Sequence, residues 1–303
     1  MQAFRKFSRA SGLEGSVEKS CIYFAGVRRE EAVDIAADVS LPVGQLPFRY
    51  LGVPLAARKL NYTQCKILVD KITSRAQTWM DQMLSYAGRL QLVRSILTNM
   101  QDYWAHIFPL PKKLIKAVEM VCRRFLWTGK TLDSKKAPVD WHTFFLPRIA
   151  GGWNLINMTN WNQAALLKLL RAIKSKADKL WVKWVAAYYV KQSTPLNVVI
   201  TNNLSWILRK IIKAREALED IGGWEQTLNN GQFSIKKTYK CLQGTFDPVS
   251  YRKVICNNKA SPRSIFILWL ALQNRLATCD RISKWMPSCN VVCCLCNVDM
   301  ESV

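Results

Sequence analysis

The sequence is short of acid and shorter still of histidine. It has 21 Asp and Glu against 44 Lys and Arg, and two histidines, His106 and His142, in 303 residues. Metal-dependent nucleotidyl transfer requires two or three carboxylates gathered around divalent ions. The adjacent acid pairs, Glu30-Glu31 and Glu219-Asp220, stand in charge-mixed helical contexts that read as solvated faces. Neither histidine lies near a nucleophile pattern, so both read as structural. No P-loop, G-x-S-x-G elbow, H-E-x-x-H helix or dinucleotide fingerprint occurs. Long apolar runs are missing too. The stretch Ile265–Leu272 is far below the roughly 20 residues of a membrane-spanning helix, and no membrane partner is expected. There is no low-complexity tract, internal repeat or secretory signal pattern. The opening residues hold arginines, serines and no acid before Glu14, a loosely transit-peptide-like mix. An amphipathic helix with Phe4 and Phe7 on one face explains them as well and is preferred.

What is present is cationic and apolar. Half the residues are hydrophobic, enough for one large core or two moderate ones. A formal charge of +23 points to a polyanionic partner, with nucleic acid favoured over acidic lipid. The twelve tryptophans read as core or helix–helix contacts, and none is marked as a stacking platform. The ten cysteines form no regular framework and read mostly as free buried thiols of an intracellular, nuclear or cytoplasmic protein.

Apolar spacing predicts a mainly α fold with minor β. Short strands are expected at Lys19–Val27 and Phe48–Leu55, and helices beyond residue 60. These run from an Asn61 or Thr63 cap to Trp79, from near Ser85 with Leu90, Val93, Ile96 and Leu97 as the stripe, and from Pro111 to Trp127. A loop-rich stretch spans Lys130–Gly152. Helical patterns resume at 160–173, 178–190, 204–217, 263–273 and 277–286, with a turn at Asn229-Asn230-Gly231.

Two features carry candidate chemistry. Between Lys112 and Lys136 stand eight basic residues and two acids, Glu119 and Asp133. Lys112, Lys113, Lys116, Arg123 and Arg124 fall off the apolar stripe of their helix, with Lys130 just beyond it. Further basic concentrations span Lys168–Lys191 and Arg209, Lys210, Lys213 and Arg215. Such faces can follow a phosphate backbone without reading bases. Near the end, Cys293 and Cys296 form a C-x-x-C pair, half of a structural zinc site; a closed site needs four ligands. Cys289 and Cys279 are the upstream candidates.

Several segments together resemble the LINE-type (non-LTR) retrotransposon reverse transcriptases. Ser11-Gly12-Leu13 and Ile22-Tyr23-Phe24-Ala25-Gly26-Val27 look like the segment just after that family's catalytic Asp-Asp motif. Leu46-Pro47-Phe48-Arg49-Tyr50-Leu51-Gly52-Val53-Pro54-Leu55 is similar to its palm–thumb junction. Ala87-Gly88-Arg89-Leu90-Gln91-Leu92-Val93 resembles its thumb helix. Val139-Asp140-Trp141, Gly151-Gly152, Asn162-Gln163-Ala164-Ala165 and Lys168 resemble the linker beyond. Phe233-Ser234-Ile235-Lys236, Trp269-Leu270-Ala271, Arg275-Leu276-Ala277-Thr278 and the Cys293–Cys296 pair look like the zinc-binding reverse-transcriptase module common in plant elements.

The resemblance implies four segments: a remnant of the palm and palm–thumb junction at 1–58, a thumb-like helical region at 59–130, a helical linker at 131–228 and a truncated zinc-binding module at 229–303. It implies that the catalytic carboxylates precede Ser11 and that the module's remaining His and Cys follow Val303. The expectation is therefore a fragment of an RNA-directed DNA polymerase, inactive as a polymerase and without catalytic residues of its own. It would bind RNA or DNA sequence-independently at most. No cofactor is expected in this chain, with zinc bound only if the module is completed and Mg2+ only in a full-length enzyme. The alternatives are a piece of a longer active enzyme and a domesticated nucleic-acid-binding or scaffold protein. The departure Trp153-Asn154, where the family usually has Leu-Gly, is the clearest within the linker.

Overall fold

The periodicity beyond residue 60 becomes a succession of helices in the computed structural model. It describes residues 2–299 except 17, 25, 46, 51–52, 56–60, 80–83, 101–108, 130–136, 192–193, 202–203, 257–258, 285, 287, 289–290 and 293–297. The fold is mainly α, with two short antiparallel hairpins among the described residues. The chain divides into two compact units, Met1–Cys65 and Lys66–Val303.

The first unit begins with α1 (Gln2–Ser11), which ends where Gly12, at φ 70°, donates its N–H to the Ser8 carbonyl. The expected strand at 19–27 does not form. A single parallel bridge joins Ile22 to Val43 instead, with the Ile22 N–H on the Pro42 carbonyl at 2.9 Å. Helix α2 (Arg29–Val39) was not among the expected helices and buries none of its residues. Strands β1 (Phe48–Tyr50) and β2 (Val53–Leu55) pair as a hairpin, and Tyr23 stacks on Phe48 at 4.2 Å.

Helix α3 (Tyr62–Thr78) runs across the division between the units. It starts with a reciprocal cap: the Asn61 side chain accepts from the Gln64 N–H and the Gln64 side chain from the Asn61 N–H, each at 2.9 Å. In the second unit, α4 (Tyr86–Asn99) is capped by Ser85 and buries the expected Leu90, Val93, Ile96 and Leu97. Helix α5 (Lys112–Thr128) follows Pro111, buries Leu114, Val118, Cys122 and Phe125 with three neighbours, and stops at Gly129. Then come two 3-10 turns, Trp141–Phe145 and Arg148–Ala150, before α6 (Met158–Lys174), α7 (Leu180–Val185) and α8 (Trp206–Asp220). The Asn230-Gly231 turn closes a hairpin of β3 (Leu228–Asn229) and β4 (Gln232–Phe233), both turn residues at positive φ. Helices α9 (Ile235–Gln243), α10 (Arg252–Cys256), α11 (Pro262–Leu272) and α12 (Cys279–Ile282) complete it.

Helix α6 packs against α8 and α9, while α4 packs against α5 and α11. One apolar cluster gathers Leu167, Leu170 and Ile173 of α6 with Leu208, Ile211 and Leu218 of α8. An aromatic cluster joins Trp127 and Phe144 to Trp153, Phe266 and Trp269, with ring centroids 5.2 to 6.2 Å apart. Trp269 is fully buried and donates its indole N–H to the Gly151 carbonyl at 2.6 Å. A side chain at Gly152 would collide with the Leu146 carbonyl. Trp153-Asn154 fits the same turn, with Trp153 in the cluster and Asn154 at φ 54°, its N–H on the Leu146 carbonyl at 2.8 Å. No helix among the described residues is long and apolar enough to cross a membrane.

Candidate nucleic-acid interface

Helix α5 segregates its two faces sharply. Leu114, Val118, Cys122 and Phe125 recur at helical spacing and are buried. Lys112, Lys113, Lys116 and Arg123 are exposed and Arg124 is half-buried. Lys112, Lys116, Glu119 and Arg123 follow one another in steps of three and four residues, so they form one row along the helix.

Glu119 interrupts that row. It borders a hollow of about 140 Å3 with Lys116, Met120, Arg123 and Trp141. Burial pushes its carboxyl above the ordinary range, and Lys116 pulls it only partly back. One turn inward, burial and the nearby Glu119 push the Cys122 thiol up to about 12. Cys122 is not poised for chemistry at neutral pH: a thiol held that high presents almost no thiolate.

On α8 the expected basic residues have different roles. Lys210 and Lys213 are exposed. Arg209 is half-buried and reaches the Thr201 and Leu204 carbonyls at 3.5 Å. Arg215 is a structural residue, donating to the carbonyls of Leu196 at 2.7 Å and Val198 at 3.0 Å. On α6, Lys168 is exposed, whereas Arg171 and Lys174 both lie 5.3 Å from the Trp224 ring. Lys183 pairs with Asp178 at 2.6 Å. Lys130, Cys293 and Cys296 lie outside the described residues.

Sequence reasoning missed two polar clamps. The Asn162 side chain accepts from the Leu110 N–H at 3.1 Å and donates to the Leu110 carbonyl at 2.9 Å, fixing the entry to α5. The Tyr239 hydroxyl accepts from the Asn157 N–H and the Gln243 side chain, each at 3.0 Å, tying α9 to the start of α6. Asn162 stood inside a resembling motif, but nothing in the sequence pointed to Leu110 as its partner.

Comparison with known proteins first gives a class. Residues 233–303, from β4 onward, match the family described as zinc-binding in reverse transcriptase. A particular relative follows: 130 residues are 26% identical to a putative ribonuclease H protein of Arabidopsis thaliana, covering 43% of this chain and 21% of that protein. The chain thus matches about a fifth of that relative's length. These likenesses support a retrotransposon-related protein.

The matched module implies zinc. Among the described residues no group of three or more His, Cys, Asp or Glu could hold a metal ion. Cys279, at the start of α12, is the one upstream candidate ligand within them.

Proposed function

We propose that this chain is part of a LINE-type, non-LTR retrotransposon reverse transcriptase of the plant kind, and that it binds RNA or DNA through phosphates without polymerising. The observation that carries the binding is α5, where three exposed lysines and an exposed arginine stand on the solvent side of a helix whose other side is core. Helix α8 adds Lys210 and Lys213. A rigid, core-anchored helix holds its charges at fixed spacing, so phosphates can be met without ordering a flexible segment.

The order of the resembling segments supports the family reading, and the match over residues 233–303 supports its last segment. Zinc would be held by Cys293 and Cys296 with two further ligands, as a structural ion shaping the module. The reading attributes no step of catalysis to this chain.

Affinity for a random-sequence DNA duplex, followed by fluorescence anisotropy across a salt series, tests the binding. It should fall steeply with salt and change little with sequence. Replacing Lys112, Lys113 and Lys116 by Gln should flatten the log–log salt slope by up to about 2.7, roughly 0.9 for each lost phosphate contact. Salt-insensitive or strongly sequence-selective binding would sink the reading.

A further inference from the structure

Between the first turn of α4 and the side of α11 runs a groove of about 710 Å3. Its wall is aromatic. Tyr86 and Phe266 stack at 5.7 Å with 22° between their planes, and Trp127 lies 5.8 Å from Tyr86. Tyr86 is 40% exposed, so part of its ring remains open to solvent. Three arginines also line the groove, Arg89, Arg263 and Arg275, and no acidic residue does among the described residues.

The arginines are not otherwise engaged to the same degree. Arg89 lies over the Tyr86 ring at 5.6 Å and donates to the Leu126 carbonyl at 3.4 Å. Arg263 and Arg275 are exposed, and their side chains make no ion pair or hydrogen bond among the described residues. Three like charges around one hollow repel each other, and an anion in the hollow relieves that repulsion. The amides of Tyr86 and Ala87, in the first turn of α4, have no intrahelical acceptor and add to the positive potential.

An anion alone would not need the aromatic wall, and an apolar ligand would not need the arginines. A nucleotide unit needs both: its base stacks on rings or guanidinium planes, and its phosphate takes arginine. The base must be unpaired, because the faces of bases inside a duplex are already covered by their neighbours. The volume falls within the range of pockets that enclose a small organic molecule.

We propose that this groove is a single-strand-binding site, where an unpaired base of RNA or DNA lies against Tyr86 and its phosphate against Arg263 and Arg275. The inference rests on the nucleic-acid reading above and deepens it. The row on α5 takes phosphates of any nucleic acid, whereas the groove distinguishes single strands from duplex.

The test uses the full chain and three fluorescent probes: an oligouridylate of about 12 nucleotides, an abasic backbone of equal length, and a duplex. The wild-type chain should prefer the base-bearing strand to the abasic one. Tyr86→Leu should weaken the base-bearing strand at least about fivefold and leave the abasic one unchanged, and Tyr86→Phe should restore it. The double variant Arg263→Gln, Arg275→Gln should flatten the single-strand salt slope by about 1.4 and spare the duplex. Thermal melts check that each variant is folded; should Tyr86→Leu unfold, the exposed arginine pair carries the test. Equal wild-type affinity for base-bearing and abasic strands overturns the groove and leaves the α5 reading standing. So does an arginine effect that is the same on duplex as on single strands. Failure of the wild-type chain to bind any of the three overturns both.

Discussion

Glu119 stands between Lys116 and Arg123 on a basic row, yet burial outweighs Lys116 and raises its pKa. A carboxyl whose folded pKa exceeds its unfolded value favours the fold fully while protonated, and that contribution is lost as pH rises through the folded pKa. Ionised Glu119 therefore costs stability at neutral pH. Glu119→Gln should raise the melting temperature at pH 7, and the gain should vanish below about pH 4, where wild type is protonated in both states. A melting series across pH checks it; a gain that persists at low pH would assign the effect elsewhere. Cysteine reactivity divides on the same ground. Cys65 and Cys122 are buried with raised pKa values, while Cys21 is exposed. Peptide mass spectrometry after brief alkylation of the native chain should find Cys21 modified, and Cys65 and Cys122 modified only after denaturant.

At the scale of elements, most helices from α3 onward were legible because their apolar stripes recur at helical spacing, whereas α9 and the five-residue α10, set in a polar stretch, were not. Ser85, Pro111 and Gly129 punctuate them as cap and breaker rules require. Helix α2 was harder to read, since its stripe of Ala32, Ile35, Ala36 and Val39 is half alanine and set among five charged residues. The run Ile22-Tyr23-Phe24 read as a strand from its composition, yet a strand needs a partner, and one bridge to Val43 is what the described residues supply. The basic row on α5 could be read off the chain. The groove could not, because its walls come from α4 and α11, far apart in sequence. Asn162 is the clamp whose removal should be felt most at this scale. Asn162→Leu leaves the buried Leu110 N–H and carbonyl without their partner and should destabilise the chain by about 2–3 kcal/mol. Urea unfolding measures it; a loss below about 0.5 kcal/mol, within the range of ordinary surface substitutions, would show that the clamp is dispensable.

At the scale of the molecule, the charge is the dominant fact. Against a formal +23, the ion pairs among the described residues are Arg28–Glu31 and Lys183–Asp178, both well exposed. Exposed pairs contribute little, so self-repulsion goes largely unanswered within the fold. Added salt should therefore raise the melting temperature between about 0.05 and 0.2 M, the same interval in which it weakens nucleic-acid binding. Opposite responses of stability and affinity to one variable separate folding from binding. A melting temperature that falls with salt would mean that attractive pairs dominate after all.

The hydrogen bond from Trp269 to Gly151 spans 118 residues, and it has a consequence for synthesis on the ribosome. Trp127, Phe144 and Trp153 are made well before Phe266 and Trp269, the residues that cover them. At about 5–20 residues per second, the nascent chain carries that aromatic surface bare for roughly seven to thirty seconds. Throughout that interval it is sticky to any neighbouring nascent chain and attractive to a chaperone. Translation speed between α5 and α11, more than the stability of the finished fold, would then govern how much soluble protein a cell obtains.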